Sequence, residues 1–135
     1  MKINLLSALG SVGIIVGSFL PWYTEVFSTG AKLTQYGLED GNGYNSLLWG
    51  SVLFLLAIFL GNSKNKIKLG IEGFLSAFMI LFGVGHIFVA NEIIKHSPDS
   101  FWGAGLWIIT SGAVLHLSVF LISLTGRKSF TIRFE

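Results

Sequence analysis

Three ionisable side chains fall inside or beside the long apolar runs of this chain: Glu72, His86 and His116. Moving charge from water into hydrocarbon is costly, so such residues are functional candidates wherever a membrane segment contains them. Depth decides which of them can meet. With residues 67–94 as one helix centred near Met79–Ile80, the helical rise puts Glu72 about 10 Å to one side of the middle and His86 about 10 Å to the other. With the next helix running back from a middle near Ala113, His116 lies about 5 Å from the middle, on the side of Glu72. Glu72 and His116 are therefore a candidate intramembrane polar pair, and His86 is a separate candidate. The chemistry open to the pair is proton carriage or the binding of a polar substrate between helices. The structural reading stands beside it: a hydrogen bond between helices, or a Glu72 that reaches the interface next to Lys68 four residues earlier. For His86 the structural reading is a neutral imidazole bonded to a carbonyl or a hydroxyl.

These residues do not extend into a recognisable catalytic or metal-binding set. Two histidines and one glutamate on separate turns lack metal-ligand spacing. The chain has no cysteine, which excludes disulfides, thiolate ligands and a cysteine nucleophile. No GxSxG, HExxH, P-loop or Rossmann fingerprint occurs. Glu39-Asp40-Gly41-Asn42-Gly43 has a faint look of a calcium loop, without the alternating oxygen ligands or the distal glutamate of an EF-hand. The expectation is a protein with no catalytic, cofactor-binding or metal-binding residues, and no enzyme.

The elements that must position these residues are membrane helices. Of the 135 residues, 52% are hydrophobic and 12% charged. A soluble domain carries about 25% charged residues, so the deficit points to the lipid bilayer as solvent. The net charge of +2 is too small to argue for nucleic acid. We expect an all-α membrane protein: four transmembrane helices, about 3–20, 45–61, 67–94 and 100–125, in one domain spanning 1–135. An outer loop, 21–44, holds a small β-hairpin, and a cytoplasmic tail covers 126–135. The first run follows Lys2 and invites comparison with a signal peptide, but its apolar character continues past Val16-Gly17-Ser18, so we read a retained helix. The second run, Leu47–Leu60, is short for a span, and a re-entrant segment is its alternative.

Within the first helix Gly10, Gly13 and Gly17 share one face, and Gly13 with Gly17 forms a GxxxG pair that allows close helix approach. Pro21 ends that helix. Trp22, Tyr23, Trp49, Trp102 and Trp107 are candidate interface anchors, where aromatic rings favour the headgroup level. Thr24, Val26 and Phe27 favour strand, with Thr29-Gly30 as the turn. Asn45 or Ser46 is expected to cap the second helix, with Gly61-Asn62 closing it. Pro98 is expected to stop the third helix, and Asp99 or Ser100 to cap the fourth. Phe74, Phe78 and Phe82 form a stripe on the third, read as packing or lipid contact. The tail alternates, so Phe130, Ile132 and Phe134 share a face if it is extended.

Charge sets the orientation. Lys2, Lys64, Lys66, Lys68, Arg127, Lys128 and Arg133 fall on the side of the termini, and only Lys32 and Lys95 on the other. By the positive-inside rule both termini are cytoplasmic in an inner or plasma membrane, and the 21–44 loop is extracytoplasmic.

The segments Ser18-Phe19-Leu20-Pro21-Trp22, Gly37-Leu38-Glu39-Asp40-Gly41 and Gly103-Ala104-Gly105-Leu106-Trp107 resemble those of a loose group of small, uncharacterised bacterial four-helix membrane proteins. The resemblance implies topology and carries no functional residue. The plan is also similar to that of claudin-like proteins, with a shorter first loop and without its cysteines; that likeness is architectural. The leading functional expectation is a non-enzymatic membrane protein working through contacts with another membrane protein or with itself, as accessory subunit or homo-oligomer. The tail strand is a further candidate contact. The alternative is a small transporter or channel subunit using Glu72 and His116, and a membrane enzyme acting on lipid or quinone is a third reading.

Overall fold

The computed structural model describes residues 2–39, 41–60, 65–97, 99–125 and 131–133. Four helices carry most of the chain. A short strand, β1 (Lys2–Asn4), leads into α1 (Leu5–Phe19). Strands β2 (Pro21–Val26) and β3 (Lys32–Tyr36) follow, then α2 (Asn42–Leu55), whose last turn continues as a π-helix over Leu56–Leu60. Helix α3 runs over Lys66–His96, β4 over Phe101–Trp102, α4 over Gly105–Leu124 and β5 over Thr131–Arg133.

Three of these helices, Asn42–Leu60, Lys66–His96 and Gly105–Leu124, are long and apolar enough to cross a membrane. Their exposed faces carry large apolar side chains, among them Phe59, Phe74, Leu81, Phe88, Val114 and Leu121. A surface of this kind is suited to lipid and not to water. Helix α1 is equally apolar but has only 15 residues, about 22 Å of rise. It is shorter than the expected 3–20 because Lys2–Asn4 is extended, and the Asn4 side chain accepts the Ser7 N–H as the helix cap.

Helix α1 lies between α2 and α4, and α3 packs chiefly on α4. The core along this assembly is Ile14, Leu53, Leu75, Met79, Leu106, Ile109 and Ala113. One end is covered by a three-stranded antiparallel sheet in the order β3-β2-β4. The expected hairpin is its larger part. Gly30, at φ 81°, makes the turn where a side chain would be strained. The third strand was not expected: Phe101–Trp102 pairs with Tyr23–Thr24 instead of starting the last helix. Ser100 consequently caps nothing. Its hydroxyl accepts the Val26 N–H at 2.8 Å and ties the sheet to the α3–α4 connection. Helix α4 begins at Gly105, without a side-chain cap.

Two further boundaries differ from expectation. Helix α2 starts at Asn42 after Gly41, which has φ 75°, so Asn45 and Ser46 lie within the helix. Helix α3 is capped by Asn65, whose side chain accepts the Ile67 N–H, and it runs to His96, two residues past its expected end. The expected terminators Gly61-Asn62 and Pro98, and the tail residues Phe130 and Phe134, lie outside the described residues. At the opposite end to the sheet, β1 pairs antiparallel with β5, with Ile3 opposite Ile132. The tail strand is thus engaged by the chain's own first residues.

Candidate functional site

The polar residues of α3 recur every four positions, Lys68, Glu72 and Ser76, and all three are buried. Four residues is close to one helical turn, so they stack on one face. Lys68 Nζ lies 3.1 Å from Glu72 Oε2, and both side chains are only 6% exposed. One turn further, the Ser76 hydroxyl donates to the Glu72 carbonyl at 2.6 Å and lies 3.1 Å from His116 Nδ1, on α4. His116 is 1% exposed, and its Nε2 has no hydrogen-bond partner among the described residues. The backbone of Leu53, in α2, also lies close to this ring.

The candidate residues Glu72 and His116 are therefore in one cluster, joined through other groups. Glu72 is held by Lys68, with both side chains buried, and His116 by Ser76. Ser76 is the member that sequence reasoning missed. Its signal was the Lys-x3-Glu-x3-Ser spacing, which lies wholly within the helix expected over 67–94.

The position of His116 depends on glycine. Helix α1 approaches α4 so closely that a Cβ at Gly10 would come within 2.7 Å of the Gly112 carbonyl oxygen and 3.2 Å of His116 N. A Cβ at Gly17 would lie 2.6 Å from Ile109 Cγ1. Gly13 is looser, with its nearest neighbour, Gly112 Cα, at 3.5 Å. The glycine face of α1 is thus covered by α4 of the same chain.

His86 stands apart, towards the sheet. Its Nδ1 is 2.9 Å from the Phe82 carbonyl, and its ring sits edge-on to Trp22 with centroids 5.1 Å apart. Trp22 itself is buried, with its indole N–H donating to the Gly17 carbonyl at 3.2 Å. It fills the core below the sheet, where the sequence suggested a headgroup anchor. Strand β2 turns its alternate residues, Trp22 and Thr24, inward. Tyr23, Trp49 and Trp102 are half-buried against the core, and Trp107 is exposed beside Trp102. The phenylalanine stripe divides along its length: Phe74 is 70% exposed, while Phe82 packs inward on Trp22.

Among the described residues no three His, Asp or Glu side chains converge as metal ligands. Glu39, part of the faintly calcium-like run, uses its carboxylate to accept the Tyr36 N–H. No family model, curated protein or solved structure matches this chain. The reading of its function therefore rests on its own geometry.

Proposed function

We propose that this chain is a non-enzymatic integral membrane protein that acts by contact with another membrane protein or with a second copy of itself. In this reading all four helices cross an inner or plasma membrane as a bundle. The termini lie in the cytoplasm, as the lysines and arginines of the terminal side favour, and the sheet lies outside.

The observation that carries the proposal is the sheet. It is fixed to the helices by the Trp22 side chain, by Ser100 and by the Gly103 N–H, which donates to the Trp22 carbonyl. It ends in an edge strand, β3, whose Leu33 and Tyr36 are exposed. A rigid platform with an open edge suits strand addition and side-chain docking. Inside the protein, Glu72 and His116 are enclosed and held by Lys68 and Ser76, an arrangement that suits stability more than reaction with a substrate. The transport alternative needs a polar route across the membrane. Among the described residues the interior is ionic only around Lys68–His116, and Ile14, Met79 and Ile109 fill the next level.

The test is native mass spectrometry of the protein purified from its own membrane in mild detergent, with the variant Leu33→Asp alongside. A stoichiometric partner or homo-oligomer that Leu33→Asp abolishes is expected. A lone monomer, or an assembly that ignores the change, removes the reading.

A further inference from the structure

The hydrogen-bond arrangement around His116 fixes where its protons are. A serine hydroxyl has one proton to give. Ser76 gives that proton to the Glu72 carbonyl, at 2.6 Å. The 3.1 Å contact between Ser76 Oγ and His116 Nδ1 can then be a hydrogen bond only if Nδ1 carries the proton and Ser76 accepts it. A neutral His116 is thereby held in the tautomer with its lone pair on Nε2. That nitrogen is buried, and no described donor reaches it.

We infer that His116 Nε2 is an intramembrane proton-binding site, entered from the end of the protein that carries β1 and β5. This inference is independent of the contact function proposed above.

The surroundings set the direction of access. Glu72 and Lys68 lie one and two turns from Ser76 towards the end of α3 at Lys66, and they are the charged groups of α3 that approach the cluster. Neither α1 nor the α2 segment from Ser46 to Leu60 contains a titratable side chain, and His116 is the only titratable residue of α4. On the sheet side the next buried level is apolar: Ile14, Met79, Ile109 and Ala113. The polar side chains of Asn4, the cap of α1, and of Ser7 and Ser11 in α1 are buried over the same half of the protein as Lys68 and Glu72. The interior thus has charge on one side of His116; on the other, past the apolar level, its buried groups include the neutral Ser18–Ser46 hydroxyl pair, whose hydroxyls are 2.6 Å apart. A proton taken up by Nε2 changes the Lys68–Glu72–His116 cluster from neutral to a single positive charge.

Nitrogen-15 spectroscopy of the full chain in lipid nanodiscs tests this. Histidine labelling gives three rings, His86, His96 and His116, and His116→Gln assigns the third. The expected spectrum at neutral pH has a protonated Nδ1 and a bare Nε2 on His116, and the bare Nε2 signal disappears on acidification. Ser76→Ala is expected to release the tautomer, so that both nitrogens become partly protonated. Glu72→Gln removes the balancing carboxylate one turn away and is expected to lower the ratio of protonated to neutral His116 about tenfold at a given acid pH. A neutral ring protonated on Nε2, or an Nε2 signal that does not change with acid while the protein stays folded, overturns the inference.

Discussion

Trp22 donates its indole N–H to the carbonyl of Gly17, and so closes the end of α1 with the first inward residue of β2. The ring also occupies the space beside Gly105, where a Cβ would lie 2.6 Å from Trp22 Cδ1. One side chain therefore joins the sheet, the end of α1 and the start of α4. Trp22→Phe keeps most of the buried ring and loses the hydrogen bond, so a cost of about 1 kcal/mol is expected. Trp22→Ala also opens a cavity and should cost about 3–5 kcal/mol. Thermal unfolding in detergent would rank the two; equal losses would show that the hydrogen bond and not the ring dominates.

Gly13 and Gly17 should respond differently to added bulk, although they belong to one GxxxG pair. A methyl group at Gly17 meets Ile109 and the Gly105 carbonyl, whereas at Gly13 it meets only ordinary van der Waals contact. Gly17→Ala is expected to destabilise by about 1–3 kcal/mol, and Gly13→Ala to stay within about 0.5 kcal/mol. The same melting experiment reads both. A similar response at the two sites would mean that α1 and α4 are further apart than described.

The buried ion pair gives a third prediction. Lys68→Met leaves Glu72 enclosed without its counter-ion and should cost about 3–5 kcal/mol. The double change Lys68→Met with Glu72→Gln removes both charges and should recover much of that loss. A double variant less stable than Lys68→Met alone would contradict the pairing.

The sheet register is open to a chemical test, because the chain has no cysteine of its own. The hydroxyls of Thr24 and Thr34 lie 3.0 Å apart on directly opposed residues. Thr24→Cys with Thr34→Cys should oxidise readily to an intrachain disulfide, since opposed residues of antiparallel strands have the required spacing. Thr24→Cys with Leu33→Cys places the thiols on opposite faces and should remain reduced. Gel mobility before and after oxidation separates the two.

What was legible in the sequence was whatever depended on local pattern. Apolar runs gave the helices, and Thr29-Gly30 gave the hairpin turn. Strand β4 was not legible, because Phe101 and Trp102 are as natural at a helix start as in a strand; only pairing with Tyr23 and Thr24 decides between them. Trp22 was misplaced for a similar reason. Its type fits a headgroup anchor, and its burial follows from the turn of β2 across the helix ends, which no neighbouring residue announces. At the polar cluster the depth argument placed Glu72 and His116 on the same side of the middle. The four-residue spacing offered Lys68 as a neighbour of Glu72, but helical rise alone could not foresee that Ser76 would hold His116. The π-helical turn at Leu56–Leu60 left no sign in its composition.

The pairing of β1 with β5 restricts how the chain can be threaded. Hydrogen-bonded strands lie on one side of any barrier the protein crosses, and these two precede and follow every helix. The number of traverses between them must then be even. On the proposed reading, in which Asn42–Leu60, Lys66–His96 and Gly105–Leu124 cross the bilayer, parity would require α1 as a fourth traverse, despite its 15 residues. A traverse that short draws the two leaflets towards each other along α1, so the bilayer around this protein would be thinnest on that flank.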